Sequence, residues 1–588
     1  MLRNYIGLAN SFHDSALAIV NSHGEVIFAE ATERSLQSKR ALCMTPDLVH
    51  HAGDVIRQYC EPGAAIVIAR SWEKGPVHLP EGTLRSLDER RFTLEKRYGK
   101  IPEGLQTELS ATKHGVLSMW KAKAFAGQNI EFELDRIGWA RPFIEREIGY
   151  DHHLTHAAAA CFGSPFRDAA CAIVDALGED TATAFFSYRD GALTPFYRQA
   201  SISGGQGFSG LASLGLFYVK VCLACGFGVH TGEEWKVMGL AAYGSPNQKL
   251  LSFFRRMIRV NGLSLETENE GDEERLALYK LRRAALNSEE IAADVAFAGQ
   301  QIFADTLIEL LNNFYKVGNS QNLVLGGGCA LNSSVNGLIL ERTPFKELYA
   351  FCAPADDGNA VGAAQLAHRE DHPVVCPKPQ LQSPYLGSQM SRETLANVQR
   401  FAGRLGVTDC GSDAPRRAAT MLAEGKIIGW VRGRAEFGPR ALGNRSILAD
   451  PRPAQIKDMI NMRVKFREKF RPFAPAVLHE AGPEYFEAYQ ESPYMERTLR
   501  FRPEVIGRVP GVVHVDGTGR LQTVKREWNA PFHQLIEQFR ELTGIPLLLN
   551  TSFNIMGKPI AHSVEDVLAV FCSSGLDAVF IENLLLEK

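Results

Sequence analysis

The sequence contains no long hydrophobic run. Its 588 residues are 45% hydrophobic and 22% charged, which is ordinary for a globular chain. The apolar stretch near the N-terminus is interrupted by Asn10, Ser11, His13 and Asp14, and no other segment reaches the length of a membrane-spanning helix. The pattern excludes a signal peptide and a membrane span. We therefore expect a cytoplasmic protein with no membrane partner.

The chain also lacks an excess of one charge and a regular framework of cysteine pairs. The formal net charge is -3, so bulk electrostatics does not predict a nucleic-acid partner. The eleven cysteines are odd in number and scattered, which is typical of reduced thiols. Cys222 and Cys225 form a CxxC without a second pair at zinc spacing, so two small buried side chains are the better interpretation.

What the chain does contain is a repeated pattern. Its length alone predicts about two to four folding units. Residues 4–32 (NYIGLANSFHDSALAIVNSHGEVIFAEAT) and 171–199 (CAIVDALGEDTATAFFSYRDGALTPFYRQ) both read as strand, acidic turn, strand, short turn and strand. Each has a carboxylate at the first turn. These segments predict a duplicated domain whose two halves face each other.

Two further strand ends lie in the same half of the chain. Residues 323–339 (LVLGGGCALNSSVNGLI) place three glycines, 326–328, between a buried strand and a helix. Glycine allows a close approach of backbone to ligand, and a helix N-terminus offers N–H groups to an anion. Residues 352–364 (CAPADDGNAVGAA) place Asp356 and Asp357 at another strand-to-helix turn.

Residues 151–160 read DHHLTHAAAA, with three histidines at the start of an alanine run. Alanine is the best helix former and Asp151 suits an N-cap, so we predict a helix from there. His152 and His156, four apart, share a face of that helix. His153 and His156, three apart, are an alternative pair. The HExxH pattern of a metalloprotease is absent, because His153 stands at the second position.

A metal site follows from these residues when Asp175 and Asp356 are added. Both aspartates end predicted strands in the same half. A histidine pair alone is more often structural, but two imidazoles with two strand-end carboxylates suit a divalent, iron-like metal. The pattern leaves iron, zinc and manganese open.

The second half of the chain has a different character. Residues 368–389 carry four prolines with little periodicity and predict a linker. Between Arg432 and Arg471, arginines and lysines alternate with Phe, Leu, Ile, Gly and Pro, as in the wall of a pocket for phosphate or carboxylate. In 547–560 (LLLNTSFNIMGKPI), a buried strand runs into side chains able to hydrogen-bond a nucleotide.

Motifs along nearly the whole chain resemble those of the O-carbamoyltransferase family, which includes nodulation and antibiotic-tailoring enzymes. The motifs occur in the family's order: DHHLTHAAAA, GEEWKVMGLAAYG (232–244), GGGCALN (326–332), GRAEFGPRALGNRSILADPR (433–452), FRPFAP (470–475), HVDGTGRLQTV (514–524) and LLLNTSFN (547–554).

The resemblance implies an α/β protein with two domains. Residues 1–367 would form a duplicated actin/hexokinase-like (ribonuclease H-like) domain, similar to that of the universal tRNA threonylcarbamoylation protein. Residues 368–389 would be the linker. Residues 390–588 would form a smaller, adenylate-forming YrdC-like domain.

The resemblance also implies the activity. The C-terminal domain would make carbamoyl-adenylate from carbamoyl phosphate and ATP, with Mg²⁺ accompanying the ATP. The N-terminal domain would transfer the carbamoyl group to a hydroxyl of a small molecule, such as a sugar or a secondary metabolite in antibiotic biosynthesis, with Fe²⁺ at its metal site. An adenylate is a good leaving group, the alcohol needs a base, and a metal can polarise the carbamoyl oxygen.

Site residues are implied position by position. His152, His156, Asp175 and Asp356 match the family's metal ligands, and His13 and Asp14 match the position near the acceptor hydroxyl, with His13 as general base. The nucleotide site of the first domain would comprise Glu234, Lys236, Gly327 and Asn332. The carbamoyl phosphate and ATP site of the second would comprise Arg440, Arg445, Ser446, Lys465, Arg467, Arg471, Arg520, Asn550, Ser552 and Asn554.

Two departures from the family pattern stand out. The chain has Gly557, Lys558 and Pro559 where the family has GEP, so a cation there would alter triphosphate binding or face solvent. Residues 30–44 (EATERSLQSKRALCM) replace an acidic EEER run, in a region expected to shape the acceptor pocket. An unusual acceptor is therefore expected, and the family does not name it.

Three other interpretations compete. A kinase-like ATPase on an actin-type fold would not need the GPRALGNRS pocket. A tRNA threonylcarbamoylation-type factor would need a basic, aromatic-interleaved face, which the chain lacks. A degenerate homologue has only Lys558 in its favour. The sequence is compatible with an oligomer, and it leaves open whether a tunnel carries the adenylate.

Overall fold

The computed structural model describes most of the chain as two α/β units. The residues described are 2–588 without 12, 42–44, 50–51, 73–78, 104, 107–108, 111–112, 115–116, 118–125, 140–143, 180, 200–211, 229–231, 268–271, 319, 374–379, 402 and 404. Unit 1 comprises Met1–Thr32, Arg40–Leu331 and Ile339–Gln382, and unit 2 comprises Glu33–Lys39, Asn332–Leu338 and Ser383–Lys588.

The first sheet of unit 1 is mixed. Its strands are β1 (Arg3–Ala9), β2 (Ala16–Val20), β3 (Val26–Ala31), β4 (Ala65–Arg70) and β5 (Ile144–Gly149). They lie in the order β3-β2-β1-β4-β5. Strand β2 is antiparallel to both of its neighbours, whereas β4 and β5 run parallel to β1.

The second sheet of unit 1 repeats this plan. Strands β6 (Asp168–Val174), β7 (Thr183–Arg189) and β8 (Ala192–Arg198) come first, a ribbon of β9 (Arg259–Asn261) and β10 (Ser264–Glu266) follows, and β11 (Asn322–Gly326) and β12 (Glu347–Ala350) complete the sheet. The order is β12-β11-β6-β7-β8, with β7 antiparallel to its neighbours and β11 and β12 parallel to β6. The two sheets share order and directions, as expected for a duplicated unit.

Helices cover both sheets of unit 1. They are Pro46–Val49, Ala52–Tyr59, Leu79–Tyr98, Gln128–Arg136, His152–Phe162, Leu214–Ala224, Trp235–Ala241, Gln248–Met257, Asp272–Ala285, Glu289–Val317 and Asn359–Asp371, with short 3-10 turns at Gly328–Leu331 and Asp356–Gly358. Two more helices, Thr32–Leu36 and Ser333–Arg342, contain residues of both units.

Small residues bring two of these helices into backbone contact. A Cβ added at Gly362 would lie 1.9 Å from the carbonyl oxygen of Thr155, and one added at Gly7 would lie 1.8 Å from that of Ala360. Helix Asn359–Asp371 therefore lies directly on β1 and on helix His152–Phe162. The predicted helix after Asp151 is confirmed, with the Asp151 carboxylate accepting the Leu154 N–H at 2.9 Å, and its alanines are buried in this contact.

Unit 2 is built on one nine-stranded mixed sheet. Its strands are β13 (Gly406–Asp409), β14 (Ile428–Val431), β15 (Arg445–Ala449), β16 (Ala474–Leu478), β17 (Arg497–Arg500), β18 (Thr518–Val524), β19 (Leu547–Ser552), β20 (Ala578–Ile581) and β21 (Leu584–Glu587). They lie in the order β13-β21-β20-β14-β15-β19-β16-β18-β17. Strand β15 pairs with β19 so that Ser446 lies opposite Ser552. A YrdC-like identity for this unit stays a prediction.

The helices of unit 2 are Arg392–Phe401, Ala414–Ala423, Ile456–Ile460, Gly482–Tyr485, Pro503–Ile506, Ala530–Thr543 and Val564–Ser573. Short 3-10 turns occupy Gly411–Asp413, His479–Ala481 and Pro510–Val512, and a π-helical turn occupies Asn461–Lys465. Trp430 on β14 is the largest fully buried side chain of the core.

The predicted domain limits, 1–367 and 390–588, stay a prediction. Helix Asn359–Asp371 passes the predicted start of the linker at residue 368, and the centre of that linker, 374–379, lies outside the described residues. Across the described helices, none combines the length and apolarity that crossing a membrane requires.

We expect Gly362→Ala to destabilise unit 1, because its methyl group would overlap the Thr155 carbonyl oxygen. Overpacking of this kind typically costs about 1–3 kcal/mol of the free energy of unfolding. Differential scanning calorimetry would show a lower transition temperature. Gly507→Ala is the matched control, because nothing lies within 4 Å of the added Cβ. Equal transition temperatures for the two variants would contradict the close contact.

Candidate functional site

Four potential metal ligands meet inside unit 1. His152 and His156 lie on helix His152–Phe162, Asp175 follows β6, and Asp356 opens the short turn after β12. All four are buried, and one ligand atom from each lies within 4.8 Å of the others. The predicted spacing of four residues therefore does bring both imidazoles to the strand-end aspartates.

The distances between these ligand atoms suit a bound ion. His152 Nε2 lies 3.4 Å from Asp175 Oδ2 and 3.5 Å from Asp356 Oδ1, and His156 Nε2 lies 3.5 Å from each of the same oxygens. A tetrahedral ion about 2.1 Å from its ligands separates neighbouring ligand atoms by about 3.4 Å. Nitrogen and oxygen donors fit Fe²⁺, Zn²⁺ and Mn²⁺ alike.

The carboxyl and imidazole groups of this cluster shift one another's pKa values. Burial alone would raise the pKa of the Asp175 carboxyl, but the neighbouring imidazoles of His152 and His156 hold it well below its usual range. Burial alone would lower the pKa of His152, but the two aspartates outweigh it and raise that pKa to about 10. Protons on the imidazoles thus compensate the two carboxylates, as a divalent cation would.

Outer contacts fix the ligands in place. The Gly328 N–H donates to Asp175 Oδ1 at 2.9 Å, which turns the other carboxylate oxygen towards the histidines. The indole of Trp72 packs on the His152 ring, with ring centroids 4.5 Å apart. Such contacts orient metal-binding side chains.

Asn359 is an orienting residue that sequence reasoning missed. It is fully buried, and its Nδ2 lies 3.3 Å from His152 Nδ1, while its Oδ1 has no hydrogen-bond partner among the described residues. When His152 binds a cation through Nε2, Nδ1 carries the proton and needs an acceptor. A half turn of the amide places Oδ1 there. The DDGN sequence after β12 is the signal that could have found it.

His153 lies outside the metal cluster. Its ring is buried, neither ring nitrogen has a hydrogen-bond partner within the described part of the chain, and burial together with His152 lowers its pKa to about 3. The alternative pair His153–His156 is therefore disfavoured by the geometry.

A second cluster joins His13 and Asp14 to Arg40 and Glu234. His13 Nδ1 lies 2.8 Å from Asp14 Oδ2, Arg40 Nη2 lies 3.2 Å from His13 Nε2, and Arg40 Nη1 lies 3.5 Å from Glu234 Oε1. Arg40 also interacts electrostatically with Asp356, so this cluster adjoins the metal ligands. Arg40 was missed from the sequence, although it stands in the divergent 30–44 segment.

The partners of His13 set the direction of its two hydrogen bonds. A guanidinium only donates, so His13 Nε2 accepts from Arg40 and His13 Nδ1 donates to Asp14. Burial would raise the pKa of the Asp14 carboxyl, but His13 and Arg40 lower it below its ordinary value. Asp14 is thus held as a carboxylate against the His13 ring.

The other predicted nucleotide residues of the first half each have a local contact of their own. Lys236 Nζ pairs with Glu233 Oε1 at 2.6 Å, rather than with Glu234. Gly327 has φ +84°, and a Cβ there would lie 2.4 Å from the Val174 carbonyl oxygen, so its glycine is required by close packing on β6. Asn332 caps its own helix by accepting the Val335 N–H at 3.3 Å.

Unit 2 brings a buried lysine, Lys465, together with four partly exposed arginines. Burial lowers the pKa of Lys465, Arg467 and Arg520 well below their ordinary values, and mutual repulsion with Arg440 and Arg471 adds to it. Burial alone lowers the pKa of Arg440 to about 10. Glu468, 3.6 Å from Arg471, is the acidic partner closest to this group among the described ion pairs. We call these five residues the cationic pocket, and it is built to attract an anion.

Lys465 is held by the two residues predicted to act with it. Its Nζ donates to the Ser552 carbonyl at 2.7 Å, to Ser552 Oγ at 3.2 Å and to the Asn554 carbonyl at 2.9 Å, and it also contacts Asn554 Oδ1. The K-x-R and S-x-N pairs therefore meet. Lys465 ends a π-helical turn, a left-handed Phe466 follows it, and Arg467 Nε returns to donate to Asn461 Oδ1 at the start of that turn at 2.8 Å.

Other predicted ligands frame that pocket. Arg445 is fully buried, and its guanidinium donates to the carbonyls of Arg432, Gly433, Asn444 and Ser388. Ser446 Oγ accepts the Gly443 N–H at 3.0 Å, and Asn550 Nδ2 donates to the Ala441 carbonyl at 3.2 Å. These contacts favour a structural role in shaping the 433–446 loop.

Two further residues that hold the backbone of the 433–446 loop were not predicted. Glu436 Oε1 accepts the N–H groups of Leu442, Asn444 and Arg445, and Arg34 Nη2 donates to the Gly438 carbonyl at 2.7 Å. Lys558, the departure from the family pattern, is exposed and donates to the Gln37 carbonyl at 3.4 Å.

We expect the chain to bind one divalent ion, measured by equilibrium dialysis with elemental analysis. His152→Ala or Asp356→Ala removes a ligand, so each should weaken binding by more than the roughly 10–100-fold typical of losing an outer-shell partner. His153→Leu is the matched control and should retain the ion. Loss of binding in His153→Leu with retention in His152→Ala would reverse the assignment.

Asn359→Leu should weaken the affinity for the ion about 10–100-fold, because the His152 Nδ1–H loses its acceptor. Asn359→Asp keeps an acceptor and should bind at least as tightly as the wild type. Competition with a chromophoric chelator measures both. Equal affinities for the Leu and Asp variants would show that Asn359 does not orient His152.

Known proteins match this chain along most of its length. Residues 140–365 match the family model described as carbamoyltransferase N-terminus, and residues 419–588 match carbamoyltransferase C-terminus. Among solved structures, HypF of T. kodakarensis is 12% identical to this chain. The match covers 65% of this chain and 49% of HypF, with a TM-score of 0.31.

Two relatives are similar in sequence. The protein MJ1058 of Methanocaldococcus jannaschii is 31% identical, with 99% of each chain covered. The nodulation protein NolO of Bradyrhizobium diazoefficiens is 36% identical, with 74% of this chain and 79% of NolO covered. From both family models and the extent of these matches, the chain belongs to the carbamoyltransferase family.

Proposed function

We propose that the protein is an ATP-dependent O-carbamoyltransferase that makes carbamoyl-adenylate and passes its carbamoyl group to a hydroxyl of a small molecule. The cationic pocket is the observation that carries this proposal. Lys465 is buried and held by Ser552 and Asn554, Arg467 and Arg520 are partly buried, and desolvation and mutual repulsion lower the pKa values of all three. Buried like charges are unfavourable until an anion compensates them, and carbamoyl phosphate and ATP with Mg²⁺ are anions of the right class.

Adenylation would proceed in this pocket. Water splits carbamoyl phosphate into carbamate and inorganic phosphate, and a carbamate oxygen attacks the α-phosphorus of ATP as pyrophosphate leaves. Arg440, Arg467, Arg471 and Arg520 would neutralise the phosphates. Lys465, held by Ser552 and Asn554, would bind the carbamate. Arg445, Ser446 and Asn550 would keep the loop around it in place.

Transfer would take place in unit 1. A divalent ion, Fe²⁺ in our proposal, held by His152, His156, Asp175 and Asp356 would polarise the carbamoyl carbonyl. The acceptor hydroxyl attacks the carbamoyl carbon, AMP leaves, and the hydroxyl proton goes to a base. The buried cluster excludes water from the reacting groups.

His13 is the base that we propose. With its proton on Nδ1, where it donates to Asp14 Oδ2, His13 has a lone pair on Nε2, and Arg40 Nη2 lies 3.2 Å from that nitrogen. An acceptor hydroxyl that displaces the Arg40 N–H would bond to Nε2 in its place, and the released guanidinium stays beside Glu234 and the nucleotide phosphate. Lys236, Gly327 and Asn332 complete the nucleotide site in this proposal.

The test is pyrophosphate release from ATP without any acceptor. We expect release only when carbamoyl phosphate is present. Lys465→Met should lower it at least about hundredfold, since it removes a charge-assisted contact and leaves its buried partners unsatisfied. Lys558→Met, which removes an exposed lysine of the same loop region, should change it less than about threefold.

The same assay separates the two halves of the reaction. His152→Ala should release pyrophosphate at the wild-type rate but fail to transfer carbamoyl to any acceptor in a hydroxyl library. Phosphate release from ATP alone would favour a kinase-like ATPase. Dependence on tRNA would favour a threonylcarbamoylation-type factor. Either result would contradict the proposed carbamoyl transfer.

A further inference from the structure

Large apolar side chains are exposed beside the cationic pocket. Leu36, Met462, Phe466 and Met556 are 46%, 71%, 48% and 53% exposed, and we call these four residues the apolar rim. Among the described residues of unit 2, only Val515 and Leu542 are also large, apolar and this exposed. Exposed apolar groups gathered at one place are typical of a binding surface.

Backbone contacts hold the rim next to Lys465. Met462 belongs to the π-helical turn that ends at Lys465, and Phe466 follows it directly. The Met556 N–H donates to the Lys465 carbonyl at 3.1 Å. Leu36 precedes Gln37, which donates to the Ile560 carbonyl at 3.1 Å. Three of these side chains therefore lie on segments in direct contact with Lys465, and Leu36 lies on a segment that contacts the chain just after Met556.

Phe466 occupies an unusual conformation there. Its φ and ψ are 49° and 51°, the left-handed region that a bulky side chain rarely adopts. Lys465 is buried and Arg467 Nε donates to Asn461 Oδ1 at 2.8 Å, whereas the Phe466 ring remains half-exposed. The turn thus carries a buried cation and presents an exposed aromatic ring next to it.

We propose that the apolar rim is the subsite for the purine base of the nucleotide, with Phe466 as its stacking platform. The proposal rests on the proposed function, because it takes the triphosphate to lie in the cationic pocket. A ligand that is anionic at one end and flat and apolar at the other matches a cation cluster with an exposed ring beside it. Base stacking on an aromatic ring contributes without edge hydrogen bonds, and methionine adapts to a flat ligand.

Calorimetric titration of the full chain with Mg-ATP and with Mg-tripolyphosphate tests the subsite. Phe466→Asn removes the ring but suits the left-handed backbone, and it should weaken ATP binding about tenfold while tripolyphosphate binding stays unchanged. Phe466→Tyr keeps the ring and should bind ATP like the wild type. Leu542→Gln, at an exposed apolar site of the same unit, should change neither.

The possible results distinguish failure of the base subsite from failure of the proposed function. Equal ATP affinity for Phe466→Asn and wild type, or equal weakening of both ligands, would overturn the base subsite while wild-type binding of tripolyphosphate still supports the proposed function. Failure of the wild type to bind either ligand would overturn both proposals.

Discussion

Unit 1 depends on one contact between two peptide backbones. Gly362 lets helix Asn359–Asp371 touch the Thr155 carbonyl of helix His152–Phe162, and the alanines around it keep the helices at this distance. Asp356 and Asn359 stand at the start of the first helix, and both histidines stand at the start of the second. The separations of about 3.4 Å that a small tetrahedral ion needs exist because no larger side chain holds the helices apart.

The candidate sites of the two units gather groups of opposite charge. In unit 1, two buried carboxylates lie among imidazoles, with Arg40 beside them. In unit 2, five cations converge where few acidic groups balance them. Protons on the imidazoles or a divalent cation can compensate the carboxylates of unit 1, whereas the cations of unit 2 need an anion. Binding should therefore stabilise each folded unit through mass action, with a cation acting on the first and a phosphate-bearing anion on the second.

Local sequence patterns were sufficient for the parts of the site that lie at strand ends and on one helix face. The spacing of His152 and His156, and the aspartates after β6 and β12, locate the four ligands because these periods are properties of the backbone itself. The repeated strand-turn-strand segments likewise anticipate two sheets of one topology. The K-x-R and S-x-N pairs meet because β19 delivers Ser552 next to the turn that carries Lys465.

Residues whose partners are distant in sequence were harder to interpret. Arg445 stands among glycines, as a phosphate ligand would, but the pattern does not distinguish a guanidinium facing a ligand from one that binds loop carbonyls. Arg40 was missed because its position depends on its own left-handed backbone, φ 57°, and on Gly232, which lies against its side-chain stem. Neither feature has a periodicity.

The seven residues Glu33–Lys39 are synthesised early yet belong to unit 2. Arg34 meets the carbonyl of Gly438, 404 positions later, and Gln37 meets that of Ile560, 523 positions later. Loops that long close slowly. During synthesis, Arg34 and Gln37 lack these native partners until residues 438 and 560 have been made. A C-terminal fragment expressed by itself lacks the segment and would expose the back of the 436–438 loop. Unit 2 therefore depends on a segment that precedes two of its partners by 404 and 523 positions.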